Sequence, residues 1–194
     1  MTAPLVVLAS TSRYRAALLR RVLDTFEQVA PAVAENELAD EAPARRAMRL
    51  AAAKARAIAA QRTNALVIGS DQVAALGAQI LHKPGSAANA LAQLRASSGK
   101  CVTFFTGLCV IDTRNGTELE ALDRTRAVFR TLADAEIRRY LERDRPLDCA
   151  GSFKAEAAGI ALFERIESND PTALVGLPLI ALTRLLRACG ACLP

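Results

Sequence analysis

Ala65-Leu66-Val67-Ile68-Gly69-Ser70-Asp71-Gln72 runs four apolar residues into a glycine, a serine, an acid and an amide. A short continuous apolar run bounded by turn formers reads as a strand buried on both faces. The reading puts Asp71 where that strand leaves the sheet. Open α/β sheets bind ligands just beyond the carboxyl ends of their strands. An ionised carboxylate is also too costly to bury unless it is paired or used. On its own residue, Asp71 stands between two readings: a catalytic acid, and a turn acid bonding its own backbone.

Outward from this stretch, strands and helices alternate. Leu5–Ala9 reads as a strand, followed by the cap-rich turn Ser10-Thr11-Ser12 and a helix to about Leu23 with Leu18, Leu19 and Val22 on its apolar face. Phe26–Ala30 reads as a second strand, and residues 35–43 as an acidic loop ending at Pro43. An Ala/Arg helix is expected over 44–61, with Met48, Leu50, Ala51, Ala55 and Ile58 at helical spacing. Val73–Leu81 suits a hairpin turning near Gly77, Lys83-Pro84-Gly85 a loop, and Ser86 the cap of a helix to about Ala96. Val102–Asp112 and Glu118–Arg130 read as long strands joined at Asn115-Gly116, a strong hairpin signal. A helix over Thr131–Arg143, an irregular stretch at 150–156, a strand over Gly159–Ile166 and a helix over Pro178–Ala188 close the chain. This order predicts a mixed-sheet α/β protein. No repeat or separating linker interrupts it, so residues 1–194 are expected to form one domain.

The composition narrows the function classes. With 194 residues, 52% apolar and 23% charged, the chain can bury a full core in an ordinary soluble composition. Its greasiest part, 174–186, is interrupted by Pro178 and Arg184, so no membrane span is expected. Met1-Thr2-Ala3-Pro4 lacks the basic segment of a signal peptide, and five cysteines, an odd number, read as reduced thiols. A cytoplasmic location is the expectation. Cys189-Gly190-Ala191-Cys192 has C-x-x-C spacing, yet it closes the chain and has no second ligand pair. The net charge of +5 suits an anionic ligand such as a nucleotide. No basic block is interleaved with aromatics, so no specific nucleic-acid partner is expected.

Familiar phosphate and hydrolase motifs are missing. There is no G-x-x-x-x-G-K-[ST] and no G-x-G-x-x-G. His82 is the one histidine, which rules out a multi-histidine zinc site and leaves a serine–histidine triad unsupported. A metal would have to take carboxylate oxygens, which favours Mg²⁺ or Mn²⁺. Asp71 and Glu35 are the candidate base or metal carboxylates; Lys54, Lys83, Lys154 and Arg15 are the candidate phosphate partners. The chain has only four lysines, so one at a loop such as Lys83-Pro84 draws notice. Lysine binds phosphate as a compact point charge. Each lysine taken singly also reads as a solvated side chain.

The quoted strand exit is one of a series. Leu8-Ala9-Ser10-Thr11-Ser12-Arg13-Tyr14-Arg15 with Leu18-Leu19, then Glu35, Lys54-Ala55, Gly69-Ser70-Asp71-Gln72-Val73, Lys83-Pro84, Ser98-Gly99, Thr106-Gly107 and Val175-Gly176-Leu177-Pro178-Leu179 follow in order along nearly the whole chain. Together they resemble the Maf family of nucleoside triphosphate pyrophosphatases. The resemblance implies an elongated mixed sheet with flanking helices, two lobes around a central cleft, and a homodimer. It implies hydrolysis of a nucleoside triphosphate to the monophosphate and pyrophosphate with a divalent cation, Mg²⁺ or Mn²⁺. Asp71 would accept the proton from water, with Glu35, Lys54 and Lys83 completing the catalytic set. Glu35 and Asp71 would hold the metal, and Ser10, Tyr14, Arg15, Gln72, Lys154 and Glu156 would bind substrate.

Within that family, Tyr14, Gln72 and Glu156 fall at positions linked to substrate choice. The branch acting on dTTP and UTP has arginine and threonine in place of Tyr14 and Gln72. This chain resembles the 7-methyl-GTP branch instead, in Gly69-Ser70-Asp71-Gln72 and in Cys149-Ala150-Gly151-Ser152-Phe153-Lys154. Methylation at N7 makes guanine cationic. The Tyr14 face would attract that cation by roughly 0.5–2 kcal/mol, and Glu156 would accept from its N–H edge. A pyrimidine or other modified nucleotide remains an alternative substrate. A non-catalytic nucleotide- or RNA-binding regulator is the alternative from another class. Two departures stand out: Arg13 replaces the family's usual proline, and Ala34 replaces a second acid found before Glu35 in many members.

Overall fold

A computed structural model describes residues 4–193. Met1, Thr2 and Ala3, on which the leader-peptide reading partly rests, lie outside the described residues. The strands are β1 (Leu5–Ala9), β2 (Glu27–Val29), β3 (Ala65–Leu76), β4 (Gln79–Leu81), β5 (Cys101–Asp112), β6 (Thr117–Phe129) and β7 (Phe163–Glu167). The helices are α1 (Arg13–Leu19), α2 (Pro43–Ala59), α3 (Ala87–Ser97), α4 (Asp134–Asp144) and α5 (Leu179–Ala188). The strands form one mixed sheet in the order β2-β1-β3-β5-β6-β7, with β4 paired to β3. β1 runs parallel to β2 and β3, whereas β4 and β7 pair antiparallel to their neighbours. The expected mixed-sheet α/β class is thus the one found. No helix among the described residues is long and apolar enough to cross a membrane.

Local chemistry explains three of the helix starts. Ser12 caps α1 by accepting from the Arg15 N–H, and Ser86 caps α3 by accepting from Asn89. Pro43 opens α2 at a first-turn position, where its missing N–H costs nothing. Arg13 is the first residue of α1, the same kind of position, which accounts for a proline being suited there.

Three expectations are corrected. α1 stops at Leu19 rather than about Leu23, because the chain tightens there, with Val22 donating to Leu19. Gly159–Ile166 is not one strand: a 3₁₀ turn covers Ala158–Leu162 before β7 begins. Gly159 packs so closely there that a Cβ would lie 2.4 Å from the Lys154 carbonyl oxygen. Most consequentially, Asp71 is not at a strand exit. β3 continues five residues beyond it, to Leu76. β1 pairs with β3 only as far as Ala9↔Gly69, while β4 pairs from Ala74 onward. The polar trio Ser70-Asp71-Gln72 lies between those two registers.

The chain separates into two compact units. One comprises the described residues up to Gln72, Thr106–Asp123 and those from Asp170 on. Its core has two layers: Leu8, Leu66, Ile68, Leu108 and Val110 pack with α1 and α5, while Val7, Ala9, Ala65 and Val67 pack with α2. The other comprises Val73–Phe105 and Arg124–Asn169. It centres on Phe104, Phe129, Phe153 and Phe163, stacked edge to face at centroid distances of 4.7–5.8 Å.

Candidate active site

Strand alternation sorts the residues around Asp71. Ala65, Val67, Gly69 and Asp71 fall on the α2 face of β3, and Leu66, Ile68, Ser70 and Gln72 on the opposite face. On the first face, α2 approaches with little room to spare. A Cβ at Gly69 would lie 2.2 Å from the Ala51 carbonyl oxygen, and one at Gly107 would lie 2.4 Å from that of Ala47. The buried stripe of α2 is Ala47, Leu50, Ala51, Ala52, Lys54, Ala55 and Ile58, at helical spacing. Lys54 therefore occupies a core position. Its Nζ reaches Asp71 Oδ1 at 2.5 Å, and both residues are only 7% exposed. Glu35 Oε1 lies 2.5 Å from the same Nζ, on a side chain more than half exposed. One buried ammonium thus bridges two carboxylates.

On the other face, side chains grip a 3₁₀ turn at Ala173–Val175. Gln72 Nε2 donates to the carbonyls of Ala173 and Leu174, at 2.9 and 3.2 Å. Ser70 Oγ lies 2.9 Å from the Gly107 carbonyl and 3.0 Å from that of Gly176. Arg15 Nε also donates to Gly176 O, at 2.9 Å, and its Nη1 reaches buried Ser10 Oγ at 3.4 Å. Burial pulls the Arg15 guanidinium below its ordinary range, while the charges of Asp71 and Glu35 push it back up. Tyr14 is half-buried and already carries a cation: Arg13 lies 4.9 Å from its ring centroid and donates to its hydroxyl at 2.8 Å.

Ser10, Arg15, Glu35, Lys54, Asp71 and Gln72 therefore gather within the first unit. Tyr14 lies in the same unit, whereas Lys83, Lys154 and Glu156 belong to the second. Lys83 is exposed on the loop after β4. Lys154 is half-buried, and its Nζ donates to the Asp144 carbonyl at the C-terminal end of α4 at 2.7 Å, a favourable place for a cation. Its backbone N–H donates to the Tyr140 hydroxyl. Burial pushes that hydroxyl's pKa up. Glu156 is exposed.

The sequence pattern of the family described as "Maf-like protein" matches residues 5–189. The chain belongs to the Maf family. Among its relatives is a protein named 7-methyl-GTP pyrophosphatase from Cupriavidus metallidurans, 52% identical over 189 residues, covering 97% of this chain and 95% of that one. Proteins of the same name from Burkholderia pseudomallei and Xanthomonas oryzae pv. oryzae are each 54% identical over 191 residues. The first match covers 96% of this chain and 88% of the relative, the second 98% and 100%.

The acids of this Maf chain form a donor set that fits a hard divalent cation. Mg²⁺ is commonly held by one or two carboxylates, its other positions going to phosphate and water. Glu35 and Asp71 converge on one point, where the single charge of Lys54 pairs with both. Cys109, Glu118 and Glu120 also place ligand atoms within 4.8 Å of one another. There, however, Arg56 binds Glu118 through two bonds, and burial pushes the Cys109 thiol up, away from thiolate. Sequence reasoning assigned no role to Ser70, to Thr106 or to the carbonyls of 173–176. The motif Val175-Gly176-Leu177-Pro178-Leu179 was their visible trace.

Proposed function

We propose that this chain hydrolyses 7-methyl-GTP to 7-methyl-GMP and pyrophosphate in the cytoplasm, with Mg²⁺ or Mn²⁺, residues 1–194 acting as one domain and as a homodimer. The observation that carries the reaction is Asp71, a nearly buried carboxylate with one oxygen fixed on Lys54. The relatives' shared name supports the substrate.

Asp71 keeps a second oxygen to orient water and take its proton. Aspartate is ordinarily a weak base near neutrality, so its power here comes from placement next to the reacting phosphorus as much as from basicity. Lys54 and Arg15 face the triphosphate, but Glu35 and Asp71 already balance their charge. An incoming triphosphate therefore needs more positive charge than these side chains supply. A divalent cation on Glu35 and Asp71 supplies it, neutralising charge that shifts onto departing pyrophosphate. Lys83 adds to it, and Lys154 does so by exchanging the Asp144 carbonyl for phosphate. Ser10 holds Arg15 in place for the same task.

Base choice falls to Tyr14, Glu156 and Gln72. A cationic 7-methylguanine stacks on Tyr14 by displacing Arg13 or by taking the opposite ring face. Glu156 accepts from its N–H edge. The amide nitrogen of Gln72 is committed to the 173–174 carbonyls, so its amide oxygen is the end left for substrate.

Pyrophosphate release from 7-methyl-GTP, GTP, dTTP and UTP, with Mg²⁺ or Mn²⁺, tests the reading. 7-Methyl-GTP is expected to turn over fastest, and removing the metal with a chelator to stop the reaction. Faster dTTP or UTP turnover would overturn the substrate, and no release from any nucleotide would overturn the activity. Sedimentation equilibrium tests the homodimer.

A further inference from the structure

Pro178 stands at the N-cap of α5, where it has no side-chain acceptor to offer the helix. Two buried residues from before the turn fill that role instead. Thr172 Oγ1 accepts from the Leu179 N–H at 2.8 Å, and Asp170 Oδ2 accepts from the Ile180 N–H at 2.6 Å. Asp170 Oδ1 accepts from the Thr172 N–H and hydroxyl, at 3.0 and 2.6 Å. Asp170 is 3% exposed and Thr172 7%. A carboxylate next to the positive end of α5 is well placed electrostatically. The pair thus closes residues 172–178 into a loop pinned at both ends.

That loop presents its carbonyls to the site. Ala173 O takes bonds from Gln72 and Thr106, and Gly176 O takes bonds from Arg15 and Ser70. Lys54 and Asp71 are placed from α2 and β3 instead, Lys54 on the buried stripe of the helix and Asp71 within the strand.

We propose that Asp170, acting with Thr172, is a positioning residue that sets Arg15 and Gln72 for substrate without touching it. The inference rests on the functional reading above in giving Arg15 and Gln72 to the substrate. Loosening the latch should cost substrate recognition and spare the chemical step. Loss of a buried hydrogen bond of this kind corresponds to about a tenfold effect.

The test compares Asp170→Asn and Thr172→Val with Thr172→Ser, which keeps the hydroxyl. In the first two, KM for 7-methyl-GTP is expected to rise about tenfold with kcat within about twofold. Thr172→Ser should restore the wild-type KM. Without any substrate, the Arg15 Nε–H and Gln72 Nε2–H signals in ¹⁵N-resolved NMR should exchange slowly in wild type and Thr172→Ser, and fast in the other two. Unchanged KM and unchanged side-chain signals in folded variants would overturn the positioning role, as would a fall in kcat at constant KM. If Asp170→Asn does not fold, Thr172→Val against Thr172→Ser decides. If wild type turns over no nucleotide, the functional reading falls by itself, and the NMR signals still decide the role of the latch.

Discussion

Asp71 differs from an ordinary buried acid in sharing its partner. Lys54 pairs with it and with half-exposed Glu35 at equal distances. Breaking a buried ion pair by removing one partner usually costs about 3–5 kcal/mol, because a charge is left uncompensated. Asp71→Asn should cost less, since Lys54 keeps Glu35 and the amide oxygen still accepts from it. Chemistry suffers far more than stability, because an amide takes no proton from water. Turnover is expected to fall about 10²–10⁴-fold, the usual contribution of a general base. Nucleotide affinity should stay within a few-fold. Pyrophosphate release and equilibrium titration with Mg²⁺ present measure the two separately. Substantial retained turnover would transfer the base to Glu35.

At the scale of elements, everything at Asp71 depends on how closely α2 lies against β3 and β5. Two glycines and three alanines permit that approach. Gly69→Ala would drive a methyl against the Ala51 carbonyl oxygen, backbone that cannot rotate away. Its cost belongs at the top of the roughly 1–3 kcal/mol typical of overpacking, or above it. Because α2 must shift, Lys54 leaves Asp71 and turnover falls in the molecules that still fold. Urea denaturation and activity per folded molecule would show both effects. Wild-type stability in Gly69→Ala would refute the close approach. The same contact shows what the sequence disclosed. Strands, helices and the Asn115-Gly116 turn were legible, since period and turn residues are local signals. Asp71 and Lys54 were legible as chemistry, but not their pairing. Met48 seemed to belong to the apolar stripe and is half-buried, whereas Ala47 and Lys54 lie on it; alanine gives little hydrophobic signal and lysine none. The passage of β3 through Ser70-Asp71-Gln72 was hidden, because polar residues imitate a strand end. The loop carbonyls that brace Gln72 and Arg15 carry no signature of their own, and only the motif Val175-Gly176-Leu177-Pro178-Leu179 marks the loop that presents them.

Across the whole molecule, arginine outnumbers lysine 21 to 4 and pairs widely with carboxylates. Most of these pairs are exposed and contribute about 0–1 kcal/mol each. Asp112 is different, with a side chain 2% exposed. It accepts the Arg114 backbone N–H, Nε and Nη2, and Nη2 also reaches the Cys189 carbonyl, tying the β5–β6 turn to the end of α5. The Arg114 bonds hold the Asp112 carboxyl below its ordinary value, against the upward push of burial. The folded protein thus binds this proton less readily than the unfolded chain, whose aspartates titrate near about 3.9. The stabilisation is complete above that value and is lost as pH falls through the lower folded one. Glu41, Asp134 and Glu167 are shifted in the same direction by arginine partners. Stability should therefore vary little with these groups between pH 7 and 5 and decline below about pH 4. Asp112→Asn should lose about 1.5 kcal/mol at pH 7, the low end for a charged hydrogen bond, because Arg114 is over a third exposed. Its stability should also fall less steeply than wild type below about pH 4, the difference between the two narrowing as acid protonates Asp112. Urea midpoints at pH 3, 4, 5 and 7 measure both. Parallel curves with a constant offset would mean that the Asp112 charge does not drive the acid limb.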